Sequence, residues 1–213
     1  MMILLAIILL NFLFPEYTGS KGCNAILRYG TESEWTCVKK SKGIQLYERW
    51  VQINDSLSVR ERKGELITSC TIEKAETYLR DYSTVTDWMK GVKSVNALTA
   101  DSGQVVYMLI QLPWPFSNRD LVARYSYFRI DQEHRTVKVK SDNTVSTPDN
   151  RCVRIKHYEA SWSLERLNER QTKIVFTTFS SEPPLFPQWI QEPVLKKLFI
   201  NNLNRLRLEL SQA

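Results

Sequence analysis

The sequence predicts an α+β domain in which a curved antiparallel sheet wraps around a long C-terminal helix, and three features carry that expectation. Six runs between Val92 and Ser180 read as strands, several of them alternating apolar and polar side chains with the period of two that half-buried strands show. One segment before them, Thr71 to Met89, changes to helical spacing. At the end, Leu195, Phe199, Leu203, Leu206 and Leu210 recur at steps of four, four, three and four, which places them on one helix face.

Taken in order, residues 24–40 read as a short amphipathic helix around Trp35. GIQLYERWVQI (Gly43 to Ile53) alternates through Ile44, Leu46, Val51 and Ile53, Asn54-Asp55 is a turn signal, and SLSVRERKGELI returns as a second strand. Thr71 is a suitable N-cap for one or two helices carrying Ala75, Tyr78, Leu79, Tyr82 and Val85 at helical spacing. Then come VKSVNALTA, QVVYMLIQL, DLVARYSYFRI, RTVKVKSDN, CVRIKHYEASWSLERL and TKIVFTTFS, several of them separated by turn residues such as Asp101-Ser102-Gly103 and Asn168-Glu169. This is the pattern of a long antiparallel meander. The closing helix opens at Pro187 or, as the preferred start, at Pro193, because proline suits the first helical turn.

The 213 residues, 43% hydrophobic and 24% charged, suffice for one domain with a sizeable core plus an N-terminal extra. That extra is assigned to residues 1–22 and the domain to 23–213. MMILLAIILLNFLF holds no charged side chain; it is shorter than the ~20 residues of a spanning helix and matches the ~7–15 of a signal peptide's apolar region. No Lys or Arg precedes it, so an uncleaved membrane anchor is the alternative. Either reading places the domain in an exported, periplasmic or membrane-anchored setting. The four cysteines, Cys23, Cys37, Cys70 and Cys152, lack the close spacing of a zinc site. Buried free thiols are the preferred reading, a Cys37–Cys70 bridge the alternative.

The formal charge of +6 is spread among acids, as in ERWVQINDSLSVRERKGE, without the dense basic patch that nucleic acid requires; it suits encounters with anionic membranes. His134 and His157 are the only histidines, and no H-E-x-x-H, G-x-S-x-G, P-loop or dinucleotide fingerprint is present. The expected protein is a monomer without metal or cofactor that is not an enzyme. The competing reading is a cyclase or dehydratase acting on a hydrophobic substrate through Arg119, Tyr107 or His157.

Five motifs resemble one family. Trp35 with GIQLYER, YLRDYSTVTDWM (Tyr78 to Met89), LPWPFSNRDLV (Leu112 to Val122), HYEASWSL (His157 to Leu164) and PLFPQWI (Pro184 to Ile190) occur in the order seen in steroidogenic-acute-regulatory-related lipid transfer (START) domains. The resemblance covers nearly all of residues 30–213 and implies a helix-grip fold, shared with Bet v 1-like proteins, whose sheet and last helix enclose an apolar cavity. It further implies binding of a lipid or sterol-like molecule, transport between membranes through transient membrane contact, and, with the leader, kinship to exported bacterial members.

The candidate ligand-binding residues follow from that resemblance. Pro113 and Pro115 cannot donate to a ladder, so they end one strand and stiffen the connection to the next. The resemblance places this loop at the cavity mouth, where Trp114 and Phe116 either form the lip or pack beneath the loop. Arg119, followed by Asp120, either meets a polar group of the ligand or forms a bridge bracing the loop; an inward charge needs a partner in both cases. Trp88, Tyr107, Leu109, Trp162 and Phe176 lie where the family's cavity walls lie, and Leu195, Phe199 and Leu203 form the inner face of the last helix.

Overall fold

Lys42 and Gly43 both adopt positive φ, 55° and 69°, which is the two-residue turn whose twist matches that of paired strands. In the computed structural model, which describes residues 33–54, 57–98, 104–112, 117–145, 152–180 and 188–212, this turn joins β1 (Thr36–Ser41) to β2 (Ile44–Asn54). The expected helix around Trp35 is therefore corrected over these residues. β1 runs antiparallel to β2 from Thr36 opposite Glu48 to Ser41 opposite Ile44, and inter-strand pairing overrides a weak helical pattern. The rest of that expected helix, residues 24–32, lies outside the described residues.

β3 (Leu57–Thr68) completes the first antiparallel group. Thr71 then caps α1 (Ile72–Arg80) as expected, its side chain accepting a hydrogen bond from the Lys74 amide at 3.2 Å. A single 3₁₀ turn at Tyr82–Thr84 leads into the short α2 (Val85–Trp88). The strands β4 (Val92–Leu98), β5 (Gln104–Ile110), β6 (Arg119–Arg129) and β7 (His134–Ser141) follow the expected hairpins.

The run read as one strand from Cys152 divides instead into β8 (Val153–Arg154) and β9 (Tyr158–Asn168). β8 runs parallel to the start of β6, beyond the point where β7 ends. The amides of Val153 and Ile155 bond the carbonyls of Asn118 and Asp120, supplying partners that β7 does not reach. β10 (Gln171–Ser180) closes the strand series.

The spatial order is β1-β2-β3-β10-β9-β7-β6-β5-β4, with β8 beside β6. A simple meander is thus modified at one place, because the last strand pairs with β3 while α1 and α2 carry the chain to β4 at the opposite edge. Register shifts in β1, β2, β4 and β9 supply the local bends of a curved sheet. The sheet does not close, and its edge strands carry Lys39, Lys40 and Lys93, which discourage pairing with another chain.

α3 (Gln188–Gln212) lies against β2 and β3 and packs with α2. It starts before Pro193, which sits inside the helix and not at its first turn. A proline this close to the start forfeits only one intrahelical bond, to the Trp189 carbonyl. Gly64 of β3 permits the contact: a Cβ there would lie 2.2 Å from Leu203 Cδ1 and 2.7 Å from Phe199 Cε1.

Candidate functional site

Four aromatic rings form a continuous ladder from α2 across the sheet to α3. Trp162 and Phe176 are opposite one another on β9 and β10 and stack with centroids 4.0 Å apart. Trp88 meets Trp162 edge to face at 5.5 Å, and Phe199 stacks on Phe176 at 5.7 Å. The structure thus brings together Trp88, Trp162, Phe176 and Phe199, with Leu195 and Leu203 buried on the same helix. Within this apolar assembly Trp88 is only 3% exposed, yet its indole N–H donates no hydrogen bond. The Tyr78 hydroxyl on α1 is likewise without a hydrogen-bond partner, and its pKa is pushed up to about 12, first by burial and then by Glu209 and Asp87.

Strand parity separates the remaining residues. On β5 the core-facing side chains are Val106, Met108 and Ile110, so Tyr107 and Leu109 project to the other face of the sheet. The expected inward placement of those two is corrected: alternation defines two faces, and only the tertiary register tells which is concave. On β6, Arg119 shares its parity with Leu121, Ala123 and Tyr125 and is 1% exposed. It stands opposite Ile110. Asp120 points the other way, and both its oxygens accept from Arg154, at 3.0 and 2.7 Å. Asp120 therefore ties β6 to β8 on the outer face, while Arg119 belongs to the inner one. Trp114 and Phe116 lie outside the described residues; just before them, the Leu112 amide donates to Asn118 Oδ1 at 3.1 Å.

Sequence reasoning missed Tyr125 and Tyr158. Both face inward, on β6 and β9, and burial raises the pKa of each phenol, with their proximity adding to the effect at Tyr125. The alternation in DLVARYSY would have found Tyr125 once Leu121 was known to point inward. The cyclase reading loses a geometric basis here, because Tyr107 and Arg119 stand on opposite faces of the sheet.

Charged clusters hold both ends of the grip. Under the first turns of α3, Arg60, Arg62 and Lys196 surround Glu48 and Glu192. At the other end Glu76 of α1 accepts from Arg80 at 2.8 Å and from the buried Arg135 of β7 at 3.2 Å. Burial alone would raise the Glu76 pKa, but hydrogen bonding and charge from Arg80 and Arg129 outweigh it and hold the carboxyl below its usual range. Cys37 and Cys70 are free thiols and form no bridge with each other; Cys70 is buried as expected, whereas Cys37 is exposed.

No family model matches the chain. In sequence it is similar to the phosphatidylcholine transfer protein of Rattus norvegicus, 24% identical over 166 residues covering 75% of this chain and 76% of the relative. In structure it is similar to the STAR-related lipid transfer protein of Xanthomonas axonopodis, with TM-score 0.71 and 25% identity over 83% of this chain and 98% of that fragment. It also shares its fold with the Zhui aromatase/cyclase of Streptomyces sp. R1128, with TM-score 0.53 and 15% identity over 71% of this chain and 93% of that one. The open ten-stranded sheet, the C-terminal helix laid against it and these likenesses together give the chain the helix-grip fold and a close structural likeness to START domains.

Proposed function

We propose that this domain binds a lipid-like molecule between the inner face of its sheet and α3, and exchanges it with membranes without chemically altering it. The observation that carries the reading is the Trp88 N–H, buried against the aromatic ladder with no acceptor. A buried donor left unpaired costs roughly 1–3 kcal/mol, so a ligand that brings a carbonyl, ester or hydroxyl oxygen to it recovers that cost. The apolar body of such a ligand adds about 25 cal/mol for each Å² removed from water. The names of the rat and Xanthomonas axonopodis proteins, both lipid transfer proteins, support the same reading.

The apolar leader supports an exported or membrane-anchored setting for this activity. Native mass spectrometry of the purified protein, followed by organic extraction, tests the binding itself. A co-purified apolar molecule with an oxygen acceptor is expected; a protein that retains and takes up no lipid from mixed vesicles overturns the proposal.

A further inference from the structure

Positions 48, 60 and 62 share their strand parity with Leu46, Gly64 and Leu66, the face that receives α3. The C-terminal half of α3 meets the core with buried leucines, Leu203, Leu206 and Leu210. The first turns, before Phe199, are held differently: Leu195 is buried there but outside the main core, and the other contacts are charged. Arg60 reaches Glu192 at 2.7 Å and Glu48 at 3.3 Å, and Arg62 reaches the same two carboxylates at 2.9 and 3.0 Å. Lys196 reaches Glu48 at 3.2 Å. Three cations therefore share two carboxylates in a cluster that water still touches.

Partly solvated ion pairs are weak and sensitive to competing ions, whereas the leucine contacts are not. One indole ring borders the cluster, and a second lies about one helical turn from it. The Arg60 guanidinium lies 4.6 Å from the centre of the Trp50 ring, and Trp50 is 41% exposed. Trp189, about one turn before Glu192 on α3, is 77% exposed. Partly wet indoles beside a surplus of positive charge suit a membrane interface, where the ring meets the headgroup layer and the cations meet phosphate.

We propose that Arg60, Arg62 and Lys196 form a docking site for the phosphates of an anionic bilayer, which Glu192 occupies while the domain is away from the membrane. A phosphate offers a guanidinium the same pair of oxygens as a carboxylate, so the exchange preserves both arginine contacts. At the bilayer, lipid phosphates replace Glu192, Trp50 and Trp189 enter the headgroup layer, and the first turns of α3 leave the sheet. The leucine-packed half remains in place as the hinge side. Docking of this kind serves the ligand exchange proposed above, but its test needs no ligand.

Flotation of the full chain with phosphatidylcholine vesicles, with and without phosphatidylglycerol, reads the docking. Binding is expected on the anionic vesicles, and Arg62→Gln should weaken it roughly fivefold, the effect of one basic residue near such a surface. Lys93→Gln, which removes the same charge from an exposed site on β4, should change it far less. Glu192→Gln should strengthen binding, and Trp189→Ala, at a largely exposed site that the fold does not depend on, should weaken it. Amide hydrogen exchange in residues 192–199 should rise on anionic vesicles and remain unchanged with millimolar inorganic phosphate.

Equal losses from Arg62→Gln and Lys93→Gln would reduce the effect to diffuse surface charge and overturn the proposal. So would unchanged vesicle binding by Glu192→Gln, which would leave a structural ion pair only, or faster exchange with inorganic phosphate alone. A protein that docks in this way yet carries no lipid in native mass spectrometry would refute the ligand reading and leave the docking site standing.

Discussion

Trp88 and Gly64 show how single residues determine what this domain can hold. Trp88→Phe keeps an aromatic ring in the ladder and removes the unpaired N–H but leaves a small cavity, so the two effects oppose each other and the ligand-free protein should lose less stability than a Trp→Phe change at an N–H that is hydrogen-bonded. Ligand affinity should fall by about 1–3 kcal/mol, measured by titration with the lipid identified from the purified protein. Equal affinity would show that the N–H does not meet the ligand. Gly64→Ala inserts a methyl group where Leu203 and Phe199 already stand, an overpacking expected to cost about 1–3 kcal/mol. Calorimetry should show a melting temperature several degrees lower, at roughly 2–4 °C per kcal/mol for a chain of this size. Trp88 was legible in the sequence, as an aromatic at the end of a helical segment. Gly64 was not, since its importance comes from a helix about 140 residues away in the chain.

At the scale of elements, α1 and α3 are attached to the sheet by different forces. α3 is packed into the core from Phe199 onward, whereas its earlier turns combine the buried Leu195 with the ion pairs of Glu192 and Lys196, so the two parts differ in how readily they detach. α1 is tied to β7 through Glu76 and Arg135, and that attachment depends on pH. The folded pKa of Glu76 lies below its ordinary value of 4.5, so its contribution is fully present above that value and is lost as pH falls through the folded pKa. Glu76→Gln should cost about 1.5–3 kcal/mol at neutral pH and flatten the loss of stability on acidification, followed by thermal melts across the acid range. An acid profile identical to wild type would place the acid sensitivity elsewhere. The strand β7 and the Thr71 cap of α1 were readable from period and composition. The β8 segment was not, because two residues that extend another strand's edge leave no periodic signal.

At the scale of the molecule, the exchange proposed above has α3 separate from the sheet along its first, charged turns. Carbodiimide coupling of Lys196 to Glu48, whose reacting atoms lie 3.2 Å apart, would join α3 covalently to β2. The coupled protein should retain its bound lipid and lose exchange with vesicles, read by transfer of a fluorescent lipid; an unchanged transfer rate would refute opening at this place. The sequence by itself determined the fold class, the hairpin order from β4 to β7 and the apolar stripe of α3, because each is written in local periodicity. Through the START resemblance it also named Trp88, Trp162, Phe176 and Phe199 among its candidate ligand-binding residues, without pointing to the ladder they form. Only the tertiary structure decided that Tyr107 and Leu109 face outward, that Asp120 bonds Arg154, and that Arg60, Arg62 and Glu192 meet. Alternation along a strand specifies two faces without saying which is inside, and ion pairs between distant segments exist only once β3, β10 and α3 have been brought together.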